Sequence, residues 1–121
     1  MFTKTTAALA AFALVALLSP LSADAGLVDG PVADSDRVEA NSSLTYTLIF
    51  RAGEPAAISV SGDKDTDLDL FVYDMNDNLV ASDTDLTDQC ITAWVPMKTQ
   101  QYRVVIENLG NVWNAYNMIA N

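Results

Sequence analysis

From residue 44 onward, apolar and polar residues alternate over most of the sequence. In the stretch SLTYTLIF, for example, Leu44, Leu48 and Phe50 fall on one side of an extended chain, and Thr45 and Thr47 fall on the other. A period of two is typical of β-strands with one buried face, and turn-forming residues break it at intervals of about ten residues. No long helical period is present. We therefore predict an all-β chain that folds as a single antiparallel β-sandwich of about eight short strands.

The first 25 residues depart from this pattern and predict a signal peptide. Lys4 gives a positively charged start, residues 7–18 (AALAAFALVALL) form an apolar run, and ADA at residues 23–25 is a small-residue cleavage site. The apolar run is shorter than the roughly 20 residues that span a bilayer. We expect cleavage before Gly26 and export to the periplasm or the medium, with no membrane insertion afterwards.

Residues 26–121 are enough for one domain with one hydrophobic core. Residues 26–35 (GLVDGPVADS) contain glycine, proline and small polar residues without periodicity, and they predict a linker. The domain is therefore expected at residues 36–121.

The net charge is −10, and loss of Lys4 and Asp24 with the signal peptide leaves it unchanged. This balance argues against a nucleic-acid partner, because phosphate contacts need clustered lysine and arginine. The sequence has no histidine, which excludes histidine-dependent catalytic triads and ordinary zinc sites. Cys90 is the single cysteine, so an intramolecular disulfide cannot form. We expect a buried thiol in a strand, with a reactive thiol or an intermolecular bridge as the alternative.

Residues 62–85 carry eight aspartates. Four of them, Asp63, Asp65, Asp67 and Asp69, occupy alternate positions, so an extended chain would place them on one face, about 7 Å apart. Adjacent carboxylates at that spacing repel each other by roughly 0.6 kcal/mol in water. A solvent-exposed row tolerates this repulsion, whereas a row folded against further carboxylates requires a cation among them.

The segment DMNDN (residues 74–78) adds oxygen-bearing side chains at alternate positions, as calcium loops do, with a simple hairpin turn as the alternative. Oxygen ligands without nitrogen or thiolate suit calcium best, which makes calcium the candidate cofactor. The candidate metal ligands are Asp63, Asp65, Asp67, Asp69, Asp74, Asn76, Asn78, Asp83, Asp85 and Asp88.

The stretch DLDLFVYD separates two sets of side chains. Leu68, Leu70 and Val72 fall on one side and are predicted to anchor the segment in the core. Phe71 and Tyr73 fall on the other side and are predicted to be exposed ligand-binding rings, because aromatic faces stack on sugars and on peptide groups. Most of the other tyrosines and tryptophans are expected in the core.

Two segments resemble the bacterial pre-peptidase C-terminal domain: residues 60–96 (VSGDKDTDLDLFVYDMNDNLVASDTDLTDQCITAWVP) and residues 102–118 (YRVVIENLGNVWNAYNM). The resemblance extends over about residues 36–121. It implies a jelly-roll-like β-sandwich, usually an accessory module of secreted proteases, in a family of which some members bind calcium or collagen-like polymers. The turn MKTQQ after Pro96 departs from the family, whose turn here often contains glycine and tryptophan.

These observations predict a secreted, non-catalytic binding module, with calcium as a candidate stabiliser and an extracellular protein or polysaccharide as partner. No catalytic residue is identified, and no carboxyl group stands out as an acid of raised pKa. Two alternatives stay open. One is a structural or envelope-interaction protein whose acidity serves solubility. The other is a small hydrolase that uses a pair of carboxylates, a feature that so many aspartates make uninformative.

Overall fold

The structure, a computed structural model, describes residues 26–121 and the backbone of Thr3 and Lys4. The predicted signal peptide therefore lies outside the described residues, apart from that pair. The described residues form antiparallel strands without helices, which confirms the predicted all-β sandwich. The strands are β1 (Thr3–Lys4), β2 (Val32–Val38), β3 (Ser43–Phe50), β4 (Ala56–Ser61), β5 (Leu68–Tyr73), β6 (Leu79–Asp83), β7 (Gln89–Trp94), β8 (Gln100–Asn108) and β9 (Asn114–Ala120).

The strands form two sheets that pack face to face. The five-stranded sheet has the order β1-β3-β8-β5-β6, and the four-stranded sheet has the order β2-β9-β4-β7. Both sheets run antiparallel throughout. No helix in the described part of the chain has the length and apolar character needed to cross a membrane.

The core lies between the sheets and consists of the side chains that the period-two pattern turns inward. Leu68, Leu70 and Val72 are fully buried on β5, as the sequence predicts. Their neighbours on β8, Val104 and Ile106, are also fully buried and lie in register with them. The alternation of the sequence therefore translates directly into one buried and one outward-facing side for each of these strands.

The linker predicted for residues 26–35 is wrong, because this segment is part of the sandwich. Strand β2 begins at Val32 and pairs with β9 along its whole length, and Leu27 bridges to Phe50 and is buried. The buried carboxylate of Asp34 on β2 explains why the sequence pattern does not predict this strand. The hydroxyl of Tyr46 donates a hydrogen bond to Asp34 Oδ2 at 2.9 Å, so a polar residue occupies a core position.

The loops gather at two ends of the sandwich. The acidic end comprises loops 39–42, 62–67, 84–88 and 109–113, and the hairpin end comprises loops 51–55, 74–78 and 95–99. Strand β5 runs from the acidic end to the hairpin end. Since a strand of this length spans roughly 17–20 Å, groups at the two ends are too far apart to act on one small ligand.

Candidate functional site

The row of aspartates at alternate positions is not an extended row in the structure. Asp69 lies in β5, but Asp63, Asp65 and Asp67 lie in loop 62–67, where Lys64 has a positive φ of 74°. A left-handed residue turns the chain and breaks the alternation of faces. These four side chains therefore have different surroundings and must be considered separately.

Asp88 is buried at the acidic end and accepts hydrogen bonds from three neighbours. Its Oδ2 atom accepts from the backbone N–H of Lys64 at 2.5 Å and from Asn114 Nδ2 at 3.0 Å, and its Oδ1 atom accepts from Gln89 Nε2 at 2.9 Å. Burial by itself would raise the pKa of Asp88, but these hydrogen bonds outweigh it and lower the pKa. Asp88 is thus an ionised carboxylate that holds loop 62–67 against the start of β9.

Other aspartates at this end also accept hydrogen bonds from backbone N–H groups. Asp63 Oδ2 accepts a hydrogen bond from the N–H of Ala115 at 3.0 Å, which ties the same loop to β9. Asp83 Oδ2 accepts from the N–H of Ile91 at 2.9 Å and so joins the edge strands of the two sheets. Asp85 Oδ1 accepts a hydrogen bond from the backbone N–H of Thr87, and this bond lowers the pKa of Asp85. These carboxylates have structural partners of their own.

Asp67 and Asp69 behave differently, because one buried oxygen of each, Oδ1, has no hydrogen-bond partner among the described residues. Asp69 is only 7% exposed and faces Glu107 across the β5–β8 pair. Burial raises its pKa to about 6, and the negative charges of Asp67, Glu107 and Asp83 add to the shift. Burial, followed by Asp85, also raises the pKa of Asp67.

The raised pKa of Asp69 corrects the expectation that no carboxyl group stands out as such an acid. A pKa near the working pH is what a general acid needs. The small exposed fraction of Asp69, however, leaves a substrate little access to its carboxyl group.

The predicted calcium ligands do not come together as one group. Asp67, Asp69, Asp83, Asp85 and Asp88 share the acidic end and influence one another electrostatically. Even so, within residues 26–121 no three or more ligating side chains are arranged to hold a metal ion. The ion pairs between described residues join Arg37 to Glu39 and Arg103 to Asp77, so they do not neutralise these carboxylates.

The remaining candidate ligands lie at the hairpin end and form the turn between β5 and β6. Asp74 Oδ1 accepts hydrogen bonds from the backbone N–H groups of Asn76 at 2.8 Å and Asn78 at 2.9 Å. Asp77 completes the turn with a positive φ of 63°. The alternating oxygens of DMNDN thus close a hairpin, as good turn formers do. Their role as metal ligands stays a prediction.

Phe71 and Tyr73 lie on the outer face of the five-stranded sheet and are partly exposed. Their rings stack with centroids 6.3 Å apart and planes inclined by 24°. The guanidinium of Arg103 lies 4.7 Å from the centroid of the Tyr73 ring and forms an ion pair with Asp77 at 3.1 Å. We call Phe71, Tyr73 and Arg103 the aromatic platform. It is a flat, partly apolar strip with a fixed cation at one end.

Sequence reasoning missed Arg103 and Glu107, which β8 places beside Tyr73 and Asp69. The alternation in QYRVVIEN puts both residues on the outward side of β8, but only the strand register shows which residue of β5 each one faces. Cys90 is buried, as expected. Burial, followed by the nearby aspartates, raises the pKa of its thiol to about 12, which makes it a poor nucleophile.

No family model matches this chain, and no curated protein does. Solved structures do match its fold. The pre-peptidase C-terminal domain of collagenase from Bacillus anthracis is 13% identical with a TM-score of 0.52, and the match covers 70% of this chain and 86% of that one. A second match is PliG from Aeromonas hydrophila, a periplasmic inhibitor of g-type lysozyme. It is 10% identical with a TM-score of 0.56, and the match covers 83% of this chain and 89% of that one. The likeness to the pre-peptidase C-terminal domain is therefore one of fold.

Proposed function

We propose that this chain is an exported, non-catalytic binding module that holds an extracellular polysaccharide on the aromatic platform. The observation that carries the proposal is the stacked pair of Phe71 and Tyr73, which stays partly exposed on an outer sheet face. Burying aromatic rings in a core is the more stable arrangement for an isolated domain, so rings held in a flat strip at the surface indicate a contact surface. The fold likeness to the pre-peptidase C-terminal domain of a collagenase and to a lysozyme inhibitor is in keeping with a binding role.

Polar groups of the platform and its surroundings supply what a sugar requires in addition to ring faces. Arg103 and Asp77 line a shallow cavity of about 230 Å³ together with Thr47 and Gln101. Binding sites commonly combine an apolar surface with a few fixed donors and acceptors that set orientation. Arg103 belongs to both the platform and this cavity, so we expect its guanidinium to donate hydrogen bonds to a sugar bound there.

Replacing both rings tests the proposal. We expect the double variant F71S/Y73S to lose at least about tenfold in affinity for insoluble polysaccharides such as cellulose, chitin or peptidoglycan, measured by depletion from solution, because central aromatic contacts dominate such surfaces. The melting temperature should change little, since both rings are partly exposed. Ile91 is an exposed apolar residue on the four-stranded sheet, which does not carry the platform. I91S is therefore the matched control and should bind the polysaccharides normally. Equal binding by F71S/Y73S and I91S would refute the platform.

Calcium remains a proposal for this module. Its support is the pair of buried oxygens on Asp67 and Asp69 that lack partners among the described residues. A cation beside them would also offset the mutual repulsion of the surrounding carboxylates. Export likewise rests on the predicted signal peptide, together with the fold likeness to a periplasmic inhibitor.

A further inference from the structure

The two ends of the aromatic platform differ in charge. At one end, the positive charge of Arg103 is paired with Asp77 at 3.1 Å, so the two charges largely cancel. At the other end, Phe71 has two carboxyl groups as neighbours, Asp69 on its own strand and Glu107 on β8. A sugar polymer that lies along β5 therefore meets a nearly neutral surface beside one ring and a negative surface beside the other.

The strand register places Glu107 close to the Phe71 ring. Asp69 faces Glu107 directly across the β5–β8 pair, and Phe71 faces Val105. Glu107 is thus a diagonal neighbour of Phe71 on the outer sheet face, and diagonal neighbours roughly 7–8 Å apart are within reach of long side chains. Phe71, Val105 and Glu107 are all partly exposed. We call these three residues the anionic end of the platform.

The charge of this end is not neutralised within the described part of the chain. Like charges directly opposite each other destabilise a strand pair, and Asp69 and Glu107 are such a pair. The ion pairs between described residues include neither side chain. Asp69 is only 7% exposed, and its Oδ1 atom has no hydrogen-bond partner among the described residues. Asp69 is too buried to touch a ligand, so it adds negative potential while Glu107 is the group that a ligand reaches.

Neighbouring loops strengthen the negative potential at this end. Loops 62–67 and 84–88 lie at the acidic end of the sandwich, and together they contain five aspartates and one lysine. The charges of Asp67 and Asp83 also act on Asp69. The negative potential is therefore a local property of this end, where it attracts a cationic ligand.

A protonated amino group on a sugar matches the anionic end. Its N–H groups donate charge-assisted hydrogen bonds to a carboxylate such as that of Glu107. Its positive charge is also attracted to the face of an aromatic ring such as Phe71. A hydroxyl or an N-acetyl group in the same position has no charge and leaves the carboxylates unneutralised.

We propose that the polysaccharide held by the platform carries free amino groups, and that Glu107 recognises the ammonium group of the sugar that lies on Phe71. This inference rests on the proposed function, because it names the class of polysaccharide that the same platform binds. The neighbouring sugar, on Tyr73, needs no charge, since Arg103 and Asp77 neutralise each other. Glu107 is then the residue that determines specificity, and polymers rich in glucosamine are the ligand class.

Three pentasaccharides with the same backbone provide the test, because they differ only in the substituent at one ring carbon. They are the pentamers of glucose, N-acetylglucosamine and glucosamine, titrated by calorimetry in chelator at pH 6, where the glucosamine amines are protonated. We expect the glucosamine pentamer to bind about tenfold more tightly than the other two, the size expected of one hydrogen bond to a charged group. Added sodium chloride should reduce this preference.

A single isosteric substitution assigns the preference to Glu107. E107Q keeps the shape of the side chain and removes its charge, so it should bind the glucosamine pentamer about tenfold more weakly and the glucose pentamer as the parent does. Its matched control is E54Q, because Glu54 lies in loop 51–55 at the hairpin end and its replacement changes the net charge equally. E54Q should keep the full preference for glucosamine. Pentalysine, which has amines but no sugar, should bind more weakly than the glucosamine pentamer.

The variant F71S/Y73S distinguishes failure of this inference from failure of the proposed function. If the parent binds all three pentasaccharides alike and F71S/Y73S weakens them all, the platform stands and the amine inference is overturned. If F71S/Y73S binds all three as the parent does, the platform itself is refuted and the inference falls with it. Equal preferences in E107Q and E54Q, or binding of pentalysine as tight as that of the glucosamine pentamer, would also overturn the role of Glu107.

Discussion

At the acidic end, carboxylates accept hydrogen bonds from the chain's own backbone, as Asp63 does from Ala115 and Asp88 does from Lys64. At the hairpin end, Trp94 and Gln100 retain a donor and an acceptor without partners among the described residues, beside exposed apolar side chains. The end with more charge therefore satisfies most of its polar groups internally. At the end with less charge, the unpartnered groups lie beside apolar side chains and not among carboxylates.

The comparison shows that a high density of one residue type is a weak guide to a binding site. Aspartate is also a good residue for turns and for capping backbone N–H groups, so a loop-rich end of a sandwich collects it for structural reasons. A buried polar atom without an internal partner is a better guide, because the cost of its desolvation is not offset inside the protein. By that criterion, Asp67 and Asp69 are the exceptions at the acidic end.

The largest expected effect tests whether Asp88 is structural. In D88A, the Asn114 side chain and the Lys64 N–H lose a charged acceptor and stay largely buried, so we expect a loss of about 3 kcal/mol in the free energy of unfolding. Urea unfolding monitored by tryptophan fluorescence measures it. Asp65 is an exposed aspartate of the same loop, and D65A should change stability by no more than about 0.5 kcal/mol. Equal losses in D88A and D65A would mean that the hydrogen bonds of Asp88 do not stabilise the fold.

The sequence predicted the inward and outward faces of β5 correctly, because a period of two depends on local geometry alone. The burial of Leu68 and the outward position of Phe71 follow from it. The same rule failed for Asp63 and Asp65, since the left-handed turn at Lys64 interrupts the strand. Lysine has no special preference for positive φ, so the residue type at position 64 did not indicate the turn.

Features that depend on distant partners were beyond sequence reasoning. The first part of β2 was predicted as a linker because residues 26–35 combine glycine, proline and small polar residues without periodicity, whereas the hydroxyl of Tyr46 makes the burial of Asp34 possible. The unpartnered atoms of Trp94 and Gln100 become visible only when the strands that surround them are in place. The register of the strands and the burial of polar atoms, and not residue type, therefore define the candidate sites of this protein.

Calcium binding is the second test, and it would reverse part of the comparison by making the acidic end a ligand site as well. If calcium binds only the folded state, about 100 times its dissociation constant adds roughly 2.7 kcal/mol of stability. For a domain of this size, the melting temperature should rise by very roughly 10–20 °C. Magnesium at equal ionic strength should do less, because it requires a smaller octahedral site.

Substitutions at the two ends locate the ion. The double variant D67N/D69N removes the two carboxylates with unpartnered oxygens and should abolish the calcium-specific shift. D74N, in the turn at the hairpin end, should keep it. Equal responses to calcium, magnesium and sodium chloride would show that the acidic end binds no specific cation.

The smallest expected effect is a pH dependence from Asp69 in the absence of calcium. Its pKa is about 6 in the folded protein against an ordinary value of 3.8, so between about pH 4 and pH 6 the folded state binds more protons than the unfolded state. The contribution of Asp69 is therefore fully present below about pH 4 and is lost as pH rises through the folded pKa. At about 1.4 kcal/mol per pKa unit, the loss is about 2 kcal/mol once partial screening by solvent is allowed for.

Urea unfolding at pH 4, 5, 6 and 7 in chelator should show this decline in the parent protein and in D65N, but not in D69N. Saturating calcium should remove it from the parent if the ion stabilises the ionised carboxylate. A decline of the same size in D69N would assign the effect to another carboxylate and leave Asp69 ionised like its neighbours.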